Sequence, residues 1–86
     1  MPQGMIEVNH PEGLHARPAA DFVKLANSFR SVVKVRLNGR EVNGKSIMSV
    51  MGLGANAGAH VELLVEGEDE QQAYDALTAF LTGRSM

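Results

Sequence analysis

The chain predicts an α+β domain in which a small antiparallel sheet is covered by helices on one side only. Three observations carry that reading. Apolar residues recur at every second position in Val33, Val35 and Leu37, and again in Val61, Leu63 and Val65, as in strands with one buried face. Ala19, Phe22, Val23, Ala26 and Phe29 follow the spacing of one buried helical stripe, as do Ala73, Ala76, Leu77, Phe80 and Leu81. Asn38-Gly39 is a strong hairpin turn, because both residues tolerate positive φ. Short strands with one apolar face need their helices on that face.

Taken in order, Met5 to Val8 is a short apolar first strand, and His10 to Gly13, with Pro11, is a loop. Ala16 to Asn27 is a helix with Pro18 in its first turn, where a missing N–H costs little. Lys34 and Arg36 alternate with the apolar residues of the second strand, and Arg40 to Asn43 is the return strand after the hairpin. Ser46 is placed as the N-cap of a short helix from Ile47 to about Leu53, ended by Gly52 and Gly54. His60, Glu62 and Glu66 alternate with the apolar residues of a fourth strand. Asp69 and Gln72 resemble a capping box before the last helix, and Gly83 can stop that helix. The acidic run from Glu66 to Glu70 is expected to serve the same helix start. The order is β-α-β-β-α-β-α in one domain over residues 1–86, since 86 residues leave no room for a second core.

Composition narrows the function classes. With three Phe, one Tyr and no Trp, the core must be aliphatic. A net charge of −2 gives no electrostatic footprint for nucleic acid or an anionic membrane. The absence of cysteine excludes disulfides and thiolate metal sites. Met1-Pro2-Gln3-Gly4 lacks the basic and apolar regions of a signal peptide, and no apolar run approaches a membrane span. The simplest expectation is a cytoplasmic monomer.

The chemistry concentrates in Gly13-Leu14-His15-Ala16-Arg17-Pro18-Ala19-Ala20. His15 falls at a helix start, where free backbone N–H groups and partial positive charge attract phosphate. That end disfavours an imidazolium, so a neutral ring nitrogen is available as a nucleophile. Arg17, two residues on, can hold phosphoryl oxygens together with the Ala16 and Arg17 N–H groups. A cation is slightly unfavourable at a helix N-terminus, and a bound dianion supplies the reason for one here. His15 is therefore a candidate phosphoacceptor, with the phosphohistidine at either ring nitrogen. On the short helix, Val50 and Leu53 are spaced to face inward, which leaves Ile47, Met48 and Met51 on another side. Methionine suits a surface that meets several partners, because it repacks easily. Gly52-Leu53-Gly54-Ala55-Asn56-Ala57-Gly58 mimics a dinucleotide fingerprint, but its last spacing is wrong and it follows a helix. His10, His15 and His60 lack metal-ligand spacing, so neither a metal nor a cofactor is expected.

The run around His15 and a second run, Lys45-Ser46-Ile47-Met48-Ser49-Val50-Met51-Gly52-Leu53-Gly54, both resemble HPr, the histidine phosphocarrier of the bacterial phosphoenolpyruvate:sugar phosphotransferase system. The likeness extends over nearly the whole chain, including Glu66-Gly67-Glu68-Asp69-Glu70, and the second run is more like the Gram-positive type than the enteric type. It implies an open-faced β-sandwich with strand order 1-4-2-3 and three helices on one face. The residue pattern alone leaves that order open, because ferredoxin-like folds share βαββαβ. The resemblance also implies roles. His15 matches the histidine that accepts phosphate from phosphorylated enzyme I and passes it to enzyme IIA components for sugar uptake. Arg17 matches the arginine beside that phosphoryl group. Ser46 matches the serine phosphorylated by an ATP-dependent HPr kinase, a modification tied to a catabolite-control transcription regulator. Ile47, Met48 and Met51 match an apolar docking patch. Glu12 departs from the small polar residue often found there, and its carboxylate would repel a dianion unless it points away. Such a protein is a phosphorylated substrate, not an enzyme that turns over alone. Two rivals remain: a regulatory module of the same fold, such as the nitrogen-related HPr paralogues, and a ferredoxin-like nucleic-acid binder. The second would need strand aromatics and a basic face, which this chain lacks.

Overall fold

The computed structural model describes residues 1–83. Its elements are β1 (Gln3–Glu7), α1 (Ala16–Asn27), β2 (Val32–Leu37), β3 (Arg40–Asn43), α2 (Ile47–Gly52), β4 (His60–Glu66) and α3 (Glu70–Leu81). The sheet runs β1-β4-β2-β3, and every neighbouring pair is antiparallel. This is the expected order. The hairpin forms as the sequence predicts, with Asn38 at φ 52° and Gly39 at φ 83°.

The period-two pattern becomes one buried sheet face. Ile6 lies opposite Val61, Val35 opposite Leu63 and Val33 opposite Val65, and all six are buried. They meet Ala19, Phe22, Val23 and Ala26 of α1 and Ala73, Leu77 and Leu81 of α3. Each fully buried Val, Leu or Phe contributes about 1.5–3 kcal/mol. Phe29, Leu37, Ala76 and Phe80 are only half-buried, at the margin of this core. The other sheet face mixes charged residues with exposed Met5 and Val32. Arg36 donates to Glu62 from Nε at 2.9 Å and Nη2 at 2.7 Å, and Lys34 pairs with Glu41 at 3.4 Å. These pairs are cross-strand, and they favour the observed register more than they add stability.

Three expectations need correction. β1 starts two residues earlier than Met5 and ends at Glu7. Val8 is buried beyond it, exchanging backbone hydrogen bonds with Gly58 and Ala59 at 2.8 Å each. α2 ends at Gly52, so Leu53 is its C-cap. Asp69 does not cap its own helix. Its carboxylate instead accepts from the Ser31 hydroxyl at 2.6 Å and from the Arg30 and Ser31 amides at 2.9 Å each. Three donors from the α1–β2 turn outcompete one amide of α3. The Ser31 hydroxyl, and next the Arg30 amide, hold the Asp69 carboxyl below its usual range. Its contribution to stability is thus present above the ordinary carboxylate range and lost as pH falls through the folded value. Glu68 likewise reaches Arg30, at 3.3 Å. The acidic run therefore ties the start of α3 to the α1–β2 turn rather than serving the helix end alone.

Candidate functional site

The turn before α1 is set by contact with a second loop. Gly13 adopts φ +72°, and a Cβ there would lie 2.6 Å from the Ala55 carbonyl oxygen, 2.8 Å from Asn56 Cα and 2.9 Å from Ala57 N. Only glycine permits that approach. Leu14, fully buried, donates its N–H to the Ala55 carbonyl at 2.7 Å. The segment from Gly54 to Gly58, which links α2 to β4, is thus held against the start of α1.

His15 is the N-cap residue of α1, with extended backbone at φ −125°, ψ 161°, yet its side chain makes no cap hydrogen bond. The ring is half-buried and places Nε2 2.9 Å from Oδ1 of Asn56. Ala16 follows at φ 46°, a left-handed value that costs a residue with a Cβ about 1–2 kcal/mol. Such strain gathers at sites where the surrounding structure over-determines the backbone. The Ala16 and Arg17 amides have no hydrogen-bond partner among the described residues. Pro18 offers no N–H, and the Ala19 N–H reaches the His15 carbonyl only at 3.4 Å. The first turn carries no acidic residue. The helix end therefore presents two open donors and its partial positive charge beside the imidazole.

Arg17 is exposed and forms no hydrogen bond or ion pair among the described residues. It lines a recess of about 220 Å³ with Glu12, His10 and Asp21, so its guanidinium is not hydrogen-bonded to the His15 ring in this structure. Glu12 is exposed in that recess. His10 is engaged elsewhere: its Nε2 lies 2.6 Å from the Phe80 carbonyl and its ring stacks on Phe80 at 4.5 Å. His60 is exposed on β4 opposite Glu7. Among the described residues, no group of three or more His, Asp and Glu is placed to hold a metal.

Ser46 is the N-cap of α2, and its hydroxyl accepts the Ser49 N–H at 3.4 Å. Val50 and Leu53 are buried, while Ile47 is 41%, Met48 78% and Met51 40% exposed. α2 packs on α1 and runs into the segment that carries Asn56. Asn56 escaped the sequence reading. Its glycine-rich surroundings mark a loop, but its contact is 41 positions away and has no local signal. A recess of about 500 Å³ lies away from His15 between the α1–β2 turn and β3. Its cations are already engaged, Arg30 by Glu68, Lys34 by Glu41 and Lys45 by the Phe29 carbonyl.

Comparisons with known proteins agree with this fold. A family model described as "PTS HPr component phosphorylation site" matches residues 3–83. The HPr-like protein Crh of Bacillus subtilis is 47% identical over 81 residues, which cover 94% of this chain and 95% of that protein. The phosphocarrier protein HPr of Cupriavidus necator is 51% identical over 72 residues, covering 84% and 81%. The crystal structure of HPr-C-His from Thermoanaerobacter tengcongensis superposes with a TM-score of 0.92 at 42% identity, covering 100% of both chains. A solved HPr dimer from the same organism, with a TM-score of 0.77 and 43% identity over 98% of this chain and 97% of that one, does not support the expectation of a monomer. No helix among the described residues is long and apolar enough to cross a membrane. The chain belongs to the HPr family of the phosphotransferase system, which takes in both phosphocarrier HPr and the HPr-like Crh.

Proposed function

We propose that this chain is a cytoplasmic phosphoryl carrier that accepts a phosphoryl group on His15 from phosphorylated enzyme I and passes it to enzyme IIA components for sugar uptake. The observation that carries the reading is the uncapped start of α1, where the His15 ring stands beside two unpartnered amides. A ring nitrogen attacks phosphorus with its lone pair, and the bond from phosphorus to the donor breaks with its electrons leaving on the donor. The incoming dianion meets the Ala16 and Arg17 N–H groups and the helix dipole. Arg17, exposed and without a partner, turns its guanidinium to the oxygens. Phosphoryl transfer needs mostly in-line positioning and charge stabilisation, so few residues suffice and the protein acts as a substrate of its partners.

Ile47, Met48 and Met51 form the docking surface for those partners, supported by their exposure on a helix whose Val50 is buried. Ser46 is the regulatory position, phosphorylated where an HPr kinase is present. Similarity to Crh favours a second reading, a purely regulatory module acting through Ser46. That reading gives His15 and its open helix start no task.

The test is incubation with phosphoenolpyruvate and enzyme I. One acid-labile, base-stable phosphate is expected on His15, and His15→Ala abolishes it. Labelling of that variant at His10 or His60 would sink the proposal.

A further inference from the structure

We infer that Asn56 is a positioning residue for His15, holding the ring as the tautomer with its proton on Nε2 throughout the phosphoryl cycle. The inference rests on the carrier role proposed for His15. The atom of Asn56 that faces the ring is its amide oxygen, at 2.9 Å from Nε2. An amide oxygen only accepts, so Nε2 must donate and the lone pair is left on Nδ1.

The backbone that carries Asn56 is fixed in place. The Ala55 carbonyl accepts from Leu14, the Asn56 carbonyl accepts from Ala59 at 2.9 Å, and Gly13 presses on the backbone of residues 55–57. The loop that carries the amide is thus built against the loop that carries the imidazole. The same bond serves both halves of the cycle. When Nδ1 attacks phosphorus, the phosphorus–donor bond breaks and the ring gains positive charge while keeping its Nε2 proton. The bond to Oδ1 then becomes charge-assisted and stronger. On onward transfer the Nδ1–phosphorus bond breaks, its electron pair returns to Nδ1, and the same tautomer is restored. No proton enters or leaves the ring.

The decisive readout is ¹⁵N NMR of the His15 ring in the unphosphorylated protein at alkaline pH, where free imidazoles are neutral. The wild-type ring is expected to carry its proton on Nε2. Asn56→Leu removes the acceptor and should give a mixture of tautomers. Phosphorylation of that variant by enzyme I should slow by about threefold to tenfold, the loss of one hydrogen bond. Asn56→Asp retains an acceptor and should keep the Nε2 proton. A role confined to bracing the loop would not move the tautomer. A wild-type proton on Nδ1, an unchanged tautomer in Asn56→Leu, or an unchanged rate in that variant each overturns the inference. The wild-type spectrum decides even if the variants fold poorly, and it needs no phosphotransfer. Failure of this inference is therefore distinct from failure of His15 to accept phosphate.

Discussion

α2 begins at Ser46, whose hydroxyl accepts the Ser49 N–H, whereas α1 begins at His15, whose ring turns away to Asn56 and leaves two amides open. The contrast follows from what each helix can sustain. α2 has six residues and one buried side chain, Val50, so it depends on its cap. α1 has twelve residues and buries Ala19, Phe22, Val23 and Ala26. Burial of Phe22 and Val23, at about 1.5–3 kcal/mol each, offsets the roughly 1–2 kcal/mol of strain at Ala16. An uncapped start can persist only on a helix whose other face is well packed, and an uncapped start is what a phosphoryl group needs.

The sharpest way to break the contrast is Gly13→Ala. The added Cβ meets backbone atoms of Ala55, Asn56 and Ala57 in a left-handed conformation. We expect a loss on the order of 3 kcal/mol, with a fall in Tm of more than about 10 °C, and separation of His15 from Asn56. A melting curve checks this, and an unchanged Tm would show that the two loops are not braced together. Next is Arg17→Ala, which should slow phosphorylation by about tenfold or more while leaving the melting curve in place. The side chain is exposed and makes no hydrogen bond or ion pair among the described residues, and a charge-assisted hydrogen bond contributes about 1.5–3 kcal/mol. A normal rate would leave the open amides to act alone.

Ser46 tests the capped start. Ser46→Ala should cost about 1 kcal/mol, visible as a lower Tm. Ser46→Asp keeps an acceptor at a positive helix end, so Tm should hold or rise slightly, while the rate of phosphorylation by enzyme I should fall as charge reaches the edge of the proposed docking patch. A variant that melts early and transfers normally would leave Ser46 with neither role. The smallest effect is expected at Ala16→Gly. Relief of the left-handed strain exceeds the entropic cost of glycine by a few tenths of a kcal/mol, so Tm should rise slightly. A marked fall would mean that the Ala16 methyl has a packing role the strain argument overlooks.

The local elements were legible because their causes are local. Alternation at Val33–Leu37 and Val61–Val65, the stripe of α1, the Asn38-Gly39 turn and the Ser46 cap each depend on residues a few positions apart. Asp69 shows where that logic stops. Its spacing to Gln72 suits a capping box, yet the nearest competing donors come from Arg30 and Ser31, 39 and 38 positions away. The candidate site divides in the same way. His15, Arg17 and the start of α1 sit within one short run, so their conjunction is visible in the chain. The Asn56 amide and the left-handed Ala16 are not.

The sequence by itself determined the order of elements, most of the buried face of α1, α3, β2 and β4, the exposed side of α2 and the histidine of the candidate site, because periodicity and capping act within a turn or two of chain. The strand order came only from resemblance until the tertiary structure set β4 between β1 and β2. The tertiary structure alone decided that Asp69 clamps a neighbouring turn, that the Gly54–Gly58 loop presses on Gly13, and that Asn56 reaches His15. Those contacts depend on which distant donors and acceptors the packed core brings within hydrogen-bond range, and no local pattern records that distance.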